Sequence, residues 1–246
     1  MFGQSLLSAF GSAACTTDTD QLFTTDVQTT SVATYQFNNA TTSIPSNTYP
    51  GAASNITYAT GKFGDAAVFN GSSSVVDISS SAGYPGSSAY TVSMWLNIND
   101  VTAYQGFFVN VSSPNIVNQF AAVLNSGRID LYAVHTSGNT TIDAIETTPQ
   151  TPFVNNTWYN VVIIADRSLA NKAKVFVNNT ENTYNYRPNV AGTTAYSTAR
   201  IGLADNNYFG GLIDQVRIFN SSLPRAAVTA LYNETTTTAQ SASVDY

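Results

Sequence analysis

The feature that most constrains the fold is a series of short segments in which apolar and polar residues alternate, each bounded by Gly, Asn, Pro or Ser. In residues 90–98 (YTVSMWLNI), apolar side chains occupy every second position and Trp95 adds bulk to the opposite face. Alternation with a period of two is typical of β-strands. It predicts strands over 31–37, 63–78 (two strands), 90–98, 105–111, 119–124, 128–135, 158–165, 173–179, 199–203 and 211–219.

Two turns and one helix complete the predicted elements. Asn70-Gly71 separates two short strands, and Asn125-Ser126-Gly127 is typical of a hairpin turn with Gly at positive φ. Ser222-Leu223-Pro224 predicts a cap followed by a helix over 225–233 that packs on a sheet. Because strands do not alternate with helices, the chain is predicted to be all-β: an antiparallel two-sheet jelly-roll sandwich with one short C-terminal helix.

The composition excludes several classes of function. Charged residues make up only 10% of the chain, and 9 Lys and Arg against 15 Asp and Glu give a net charge of −6. So few cations provide no surface for phosphate groups, which argues against nucleic acid as a partner. No apolar run is long enough to predict a membrane span. A single Cys (Cys15) and a single His (His135) exclude a disulfide framework and a Cys/His zinc cluster.

The acidic residues do not form a recognisable catalytic pair. Glycoside hydrolysis needs two carboxylates that face one bond. The three glutamates, Glu146, Glu181 and Glu234, have no carboxylate two or four residues away, and Asp143 would face the side of a strand opposite Glu146. His135 is the only histidine for a Ser/His/Asp triad, and no G-x-S-x-G motif accompanies it. The sequence therefore predicts that the protein is not an enzyme.

Six motifs follow one another in a fixed order along the chain. They are 61–72 (GKFGDAAVFNGS), 90–96 (YTVSMWL), 156–162 (NTWYNVV), 175–178 (VFVN), 209–219 (FGGLIDQVRIF) and the helical segment 223–232. In this order they resemble the laminin-G-like form of the concanavalin A-like lectin/glucanase jelly roll, with Asn179 where that family usually has Gly. The resemblance covers residues 31–233 and implies a glycan-cleaving enzyme, a glycan-binding lectin or a structural adhesion module.

The start of the chain and the amino-acid sequence around residues 62–74 also resemble virion proteins of tailed phages of marine bacteria. This resemblance, together with the missing catalytic carboxylates, predicts a non-catalytic lectin-like protein on the virion surface: a capsid decoration, head-fibre or tail-associated protein. Residues 1–30, which lack the basic start of a secretory leader, are expected to be a retained arm that docks on other virion proteins. Residues 234–246 form a polar tail, and a symmetric homo-oligomer is expected.

Two other functions remain open at this stage. One is a secreted bacterial carbohydrate-binding or adhesion module with an extracellular location. The other is a glycoside hydrolase of the same fold whose carboxylates come from loops.

Aromatic and amide side chains in the predicted loops 101–118, 135–153 and 181–196, and in the cluster 205–208, are the candidates for binding a host or environmental polysaccharide. Rings can cover the apolar face of a sugar, while amide and charged groups bind its hydroxyls. The ligand-binding residues predicted on this basis are Tyr104, Tyr184, Tyr186, Arg187, Asn207 and Tyr208.

The resemblance also implies one structural Ca²⁺. Its ligands would be Asp214, the backbone of Gly71 and a residue near Asn39, with waters completing the six to eight oxygens that calcium prefers. The alternative is that Asp214 pairs only with Arg217 or with a backbone donor.

Overall fold

The computed structural model describes residues 31–43, 49–79, 89–111, 120–135, 141–148, 152–166, 173–187, 198–204 and 206–234. Within these residues the chain forms eighteen strands and one helix. The strands are β1 (Ala33–Tyr35), β2 (Gly51–Ser54), β3 (Thr57–Thr60), β4 (Asp65–Asn70), β5 (Val75–Ser79), β6 (Ala89–Ile98), β7 (Gln105–Val111), β8 (Phe120–Asn125), β9 (Arg128–His135), β10 (Thr141–Thr148), β11 (Trp158–Asp166), β12 (Ala173–Val177), β13 (Thr180–Glu181), β14 (Thr183–Arg187), β15 (Thr198–Ile201), β16 (Leu203–Ala204), β17 (Asn207–Tyr208) and β18 (Gly210–Phe219). The helix is α1 (Arg225–Tyr232).

The strands build two antiparallel sheets, which confirms the predicted all-β sandwich. Sheet A has the order β13-β12-β11-β6-β18-β4-β3, with β1 also paired to β18, and sheet B has the order β14-β10-β9-β8-β7-β15-β5-β2. The inward-facing side chains of the two sheets form one continuous hydrophobic core. Strands β16 and β17 make a separate ribbon, and Ala204 of this ribbon packs with Val109, Ala121 and Val123 of sheet B.

Strands β6 and β11 form the centre of sheet A. They pair over nine residues, from Trp158 opposite Asn97 to Asp166 opposite Ala89. The predicted central position of 90–98 is confirmed, because β6 lies between β11 and β18 and is buried along almost its whole length. Val92, Met94 and their alternate neighbours enter the core. The residues between them, including Trp95, therefore face outward from the sandwich.

Helix α1 packs on that outer face of sheet A. Val228 and Leu231 are buried in a cluster with side chains of β11, β12 and β18. The predicted cap is wrong in detail: Pro224, in an extended conformation, is the N-cap residue, and no side chain caps the helix. The carbonyl of Pro224 instead accepts the N–H groups of Ala227 and Val228. Among the described residues, no helix is long and apolar enough to cross a membrane.

Two segments that were predicted as loops contain strands. Residues 141–148 form β10, and residues 183–187 form β14, which pairs with β10 at the edge of sheet B. The edge strands β2 and β3 were also missed, and most of their residues are exposed. Polar edge strands depend on backbone pairing more than on apolar burial, so they lack the alternation on which the prediction relied.

The predicted hairpin between β8 and β9 is confirmed. Ser126 and Gly127 form its two-residue turn with φ values of 51° and 80°. Positive φ at both central positions matches the right-handed twist of the strands, and Gly127 adopts it without steric cost.

Candidate functional site

The candidate site lies on the outer face of sheet A, beside the C-terminal end of α1. Its position depends on a bulge in β18, where Asp214 pairs with Trp95 and Arg217 pairs with Ser93. Three residues of β18 thus span two residues of β6, and Gln215, at φ 49°, is the extra one. The bulge puts Asp214 and Arg217 on the same outward side as Trp95.

A cavity of about 350 Å³ opens over this part of the sheet. We call it the aromatic pocket, and its lining residues in the described part of the chain are Lys62, Trp95, Trp158, Asn178, Tyr232, Asn233 and Glu234. They come from five parts of the fold: strands β6 and β11, the β12–β13 turn, the β3–β4 loop and the end of α1, which supplies the last three residues. The volume falls within the range of about 300 to 1,000 Å³ that is usual for ligand sites.

Three aromatic rings dominate the lining. The indole of Trp95 is 4% exposed and stacks on the ring of Tyr232, with centroids 6.2 Å apart and an interplanar angle of 20°. Phe63 meets Trp95 edge-on at 5.9 Å. Trp158 is half-buried at the start of β11. Its ring and that of Tyr232 are thus the parts of the wall that a ligand can reach.

The hydrogen-bonding groups of the pocket are mostly donors. The ammonium of Lys62 lies 4.4 Å from the ring centroid of Trp95. Asn178 accepts the backbone N–H of Asn160 at 2.9 Å through Oδ1, which leaves its amide N–H groups as the unused part. The indole N–H of Trp95 is buried and has no hydrogen-bond partner among the described residues.

Glu234 lines the pocket, but its negative charge is neutralised by the buried guanidinium of Arg217. Arg217 donates from Nη1 to Oε2 of Glu234 at 2.8 Å and from Nη2 to Oε1 at 2.5 Å. Both side chains are almost fully buried. The carboxylate is therefore committed to the guanidinium and is not free to bind a cation in the pocket.

Asp214 lies under the β3–β4 loop next to the pocket. Its Oδ2 accepts the backbone N–H of Phe63 at 2.9 Å, while Oδ1 has no partner in the described structure. Burial raises the pKa of Asp214 to about 7, although the hydrogen bond from Phe63 opposes the rise. Gly61 makes this approach possible, because a Cβ atom there would lie 2.7 Å from Oδ2 of Asp214.

The residues predicted as calcium ligands lie on three different segments of the chain. Gly71 lies against Gly210, and a Cβ at Gly71 would be 3.6 Å from the Gly210 Cα. Gly210 is four residues from Asp214 along β18, about 13 Å at the rise of a strand. The amide group of Asn39 donates to Asp65.

Gly71 and Asp214 are therefore well separated along β18, and Asp214 bonds to a backbone donor, a contact that the alternative expected. The set of calcium ligands stays a prediction. No three His, Cys, Asp or Glu side chains cluster in the described part of the chain. The calcium ion itself stays a prediction.

The predicted ligand-binding residues fall into two separate groups, and none belongs to the described lining of the aromatic pocket. Tyr104 is 37% exposed just before β7, and Asn207 and Tyr208 are half-buried in β17. A hydrogen bond from the Gly210 N–H to Oε1 of Gln105, at 2.8 Å, joins the segments that carry them.

Tyr184, Tyr186 and Arg187 lie on β14, at the far edge of sheet B. Strands β10, β9 and β8 separate β14 from β7, a distance of about 19 Å at the usual strand spacing. A single small ligand therefore cannot contact both groups. Their role in binding stays a prediction.

Sheet B also brings together two acidic residues that the sequence left apart. Glu146 of β10 pairs directly with Asp130 of β9. The carboxylate of Asp130 is fully buried and is bound by Arg128, at 2.9 Å, and by Asn125, at 2.8 Å. A carboxylate held in this way is a structural anion, because its oxygens are already occupied by donors.

The family of the chain follows from its sequence as well as from its fold. Residues 70–229 match the sequence model of the concanavalin A-like lectin/glucanases superfamily, which is well over half of the chain. The chain belongs to this superfamily. Both β11 and β18, the strands that carry Trp158 and Asp214, lie within the matched region.

Solved structures of the same fold include carbohydrate-binding and receptor-binding domains. One is domain 4 of AbnA, an extracellular GH43 arabinanase from Geobacillus stearothermophilus, in complex with arabinotriose, with 22% identity, a TM-score of 0.59, and coverage of 82% of this chain and 97% of that one. Another is the binding domain of Paraclostridial Mosquitocidal Protein 1, with 15% identity, a TM-score of 0.62 and coverage of 82% and 51%. The receptor-binding domain of botulinum neurotoxin D has 13% identity, a TM-score of 0.60 and coverage of 82% and 52%.

At these identities the similarity shows a shared fold alone, and this chain spans about half of each toxin domain. No curated protein sequence matches the chain significantly.

Sequence reasoning missed the aromatic pocket although it singled out most of its elements. Lys62, Trp95 and Trp158 all lie in motifs that were used only to assign the fold. The sequence signal that could have located the pocket was the position of Trp95 and Trp158. Both lie on central strands, at positions outside the alternation of apolar core residues. Their proximity depends on the pairing of β6 with β11, which no local pattern specifies.

Proposed function

We propose that the protein is a non-catalytic carbohydrate-binding module and that the aromatic pocket is its binding site. The observation that carries the proposal is the cavity of about 350 Å³ lined by Trp95, Trp158 and Tyr232. Aromatic rings offer large rigid surfaces for the apolar face of a sugar, and nearby polar groups can bind its hydroxyls. The amide of Asn178 and the ammonium of Lys62 occupy such positions in the wall.

Two further observations support a binding role without catalysis. The similar domain of the arabinanase is described in complex with arabinotriose, and the similar toxin domains are described as binding domains. In this chain, the carboxylates of Asp130 and Glu234 are both occupied by arginine side chains. Neither is therefore placed to act as a general acid or a nucleophile on a glycosidic bond.

A glycan array with the full chain tests the proposal. Trp158→Ala should reduce binding at least tenfold, because it removes a half-buried ring that a ligand in the pocket can reach. Tyr104→Ala is the matched control, since it removes an exposed aromatic residue outside the pocket. Loss of binding only in the Tyr104 variant would move the site to the loops predicted from the sequence. Absence of binding to any glycan would contradict the proposal, and release of reducing sugar would favour a glycoside hydrolase.

We further propose that this module acts on the surface of a tailed-phage virion, with residues 1–30 as its attachment to other virion proteins. The support is the resemblance of residues 62–74 and of the Ser/Thr-rich start to virion proteins of marine phages. Residues 1–30 lie outside the described structure and precede the first strand, which begins at Ala33. Deletion of 1–30 should abolish incorporation into particles and leave the domain folded. Normal incorporation of the truncated chain would refute the docking role of residues 1–30.

A further inference from the structure

The charge balance of the aromatic pocket points to a particular class of ligand. We infer that the pocket selects a sugar that carries an anionic group, a carboxylate or a sulfate, and that Lys62 binds this group. The inference rests on the proposed carbohydrate-binding function and names the ligand class for that site.

The first observation is that the positive charge of Lys62 has no carboxylate partner among the described residues. This side chain is exposed, and its ammonium lies 4.4 Å from the ring centroid of Trp95 and 5.8 Å from that of Phe63. Glu234 is the acidic residue in the same wall, and its two oxygens are bound by the buried Arg217. The uncompensated charge of the described lining is therefore positive.

The second observation is independent of charge. Trp95 belongs to the lining, and its buried indole N–H has no hydrogen-bond partner among the described residues. Leaving a buried donor without a partner is unfavourable, so such groups usually meet an acceptor from a ligand or from water. Asn178 adds a further amide donor, because its carbonyl oxygen is already bound to the N–H of Asn160.

A lining that contains one cation and further hydrogen-bond donors matches a ligand group that is rich in acceptors. A carboxylate or sulfate on a sugar ring offers only acceptor oxygens, and hydrogen bonds to such ions are about twice as strong as those between neutral groups. A neutral sugar would leave the ammonium of Lys62 without a counter-ion in the complex. Selectivity for the anionic sugar is the expected result.

The test compares ligands that differ only in charge. Binding of tri-galacturonic acid to the full chain is measured by calorimetry and compared with binding of its fully methyl-esterified form. A sulfated carrageenan oligosaccharide is compared in the same way with its own desulfated form. At least one anionic probe should bind ten times more tightly than its neutral partner. Whichever pair shows the difference identifies the group as a carboxylate or a sulfate.

The variants assign the effect to Lys62. Lys62→Met should remove the preference for the anionic probe, and Lys62→Arg should retain most of it. Lys174→Met is the matched control, because it removes the same charge from sheet A outside the described lining of the pocket. Equal losses in the Lys62→Met and Lys174→Met variants would overturn the inference, as would equal binding of both members of each pair. If neutral glycans bind and Trp158→Ala abolishes that binding, the proposed function stands and only the inference about an anionic ligand fails.

Discussion

Arg217 and Glu234 form a buried ion pair that joins the last strand of sheet A to the chain segment that follows α1. The two hydrogen bonds measure 2.8 and 2.5 Å, and the side chains are 1% and 0% exposed. Gln215 also accepts a hydrogen bond from Arg217, at 3.3 Å. Since α1 lies between these two residues in the sequence, the pair holds the C-terminal end of the helix on the sheet.

Removal of one member of this pair should destabilise the protein strongly. Glu234→Gln leaves the guanidinium of Arg217 buried without a counter-charge, for which we expect a loss of about 3 to 5 kcal/mol in the free energy of unfolding. Urea denaturation measures the loss. The double variant Arg217→Met/Glu234→Leu should be less destabilised than either single variant. A single-variant effect below about 1 kcal/mol would show that the ion pair does not hold the helix.

Asp214 should make the stability of the fold depend on pH between its unfolded and folded pKa values. The pKa is raised from 3.8 to about 7 on folding, so the folded state keeps a proton that the unfolded state has lost. The contribution of Asp214 to stability is thus highest below pH 3.8, falls as the pH rises to about 7, and levels off above it. The whole change is roughly 4 kcal/mol at about 1.4 kcal/mol per pH unit.

The matched variant for this prediction is Asp214→Asn, whose carbonyl can still accept the N–H of Phe63. The difference in unfolding free energy between the wild type and this variant isolates Asp214 from other titrating groups. It should change steadily from pH 4 to pH 7. A difference that does not depend on pH would mean that the Asp214 carboxyl stays ionised in the folded protein.

Gly61→Ala should disturb the contact between the β3–β4 loop and Asp214. The new Cβ would lie 2.7 Å from Oδ2 of Asp214 and 2.8 Å from the carbonyl carbon of Asp65, and the backbone there cannot give way cheaply. We expect a loss of about 1 to 3 kcal/mol in stability by thermal or urea denaturation. Gly210→Ala is the control, because the nearest atom to its Cβ is at 3.5 Å. Similar losses for both variants would contradict the packing explanation.

Residues 1–30 are predicted to mediate self-association. Light scattering of the full chain should give the mass of an oligomer, and the chain that begins at Ser31 should give the mass of a monomer. Circular dichroism of the truncated chain is the control for folding. A monomer in both forms would leave these residues without a role in self-association and would favour the secreted-module alternative.

The central strands could be predicted from the sequence because burial imposes a regular pattern on them. Strands β6 and β11 carry apolar side chains into the core at every second position, and the turn at Ser126-Gly127 has residues suited to positive φ. The polar strands β2 and β10 leave no such pattern. Their positions are fixed by hydrogen bonds to neighbouring strands, of which β5 for β2 and β14 for β10 are distant in sequence.

The candidate site was harder to predict than the fold for a similar reason. Trp95 and Trp158 come together because Trp158 pairs with Asn97 and Trp95 pairs with Asn160. Burial of the pocket further depends on Tyr232 at the end of α1. Such a site is formed by the pairing register of strands that are remote in sequence. The predicted loop clusters were instead chosen by local composition, and the whole chain is rich in Tyr and Asn.

The bulge at Gln215 inserts one residue into the alternation of inward-facing and outward-facing side chains along β18. Ile213, Val216 and Ile218 all reach the core, although the first two are three positions apart. A strand without residue 215 would keep these three side chains, and both Asp214 and Arg217, on their present sides. Residue 215 therefore changes the side of no neighbouring residue, because the bulge accommodates it and keeps Asp214 and Arg217 both outward. What it adds is a local kink in the strand, at the place where pairing with β4 ends and pairing with β1 begins.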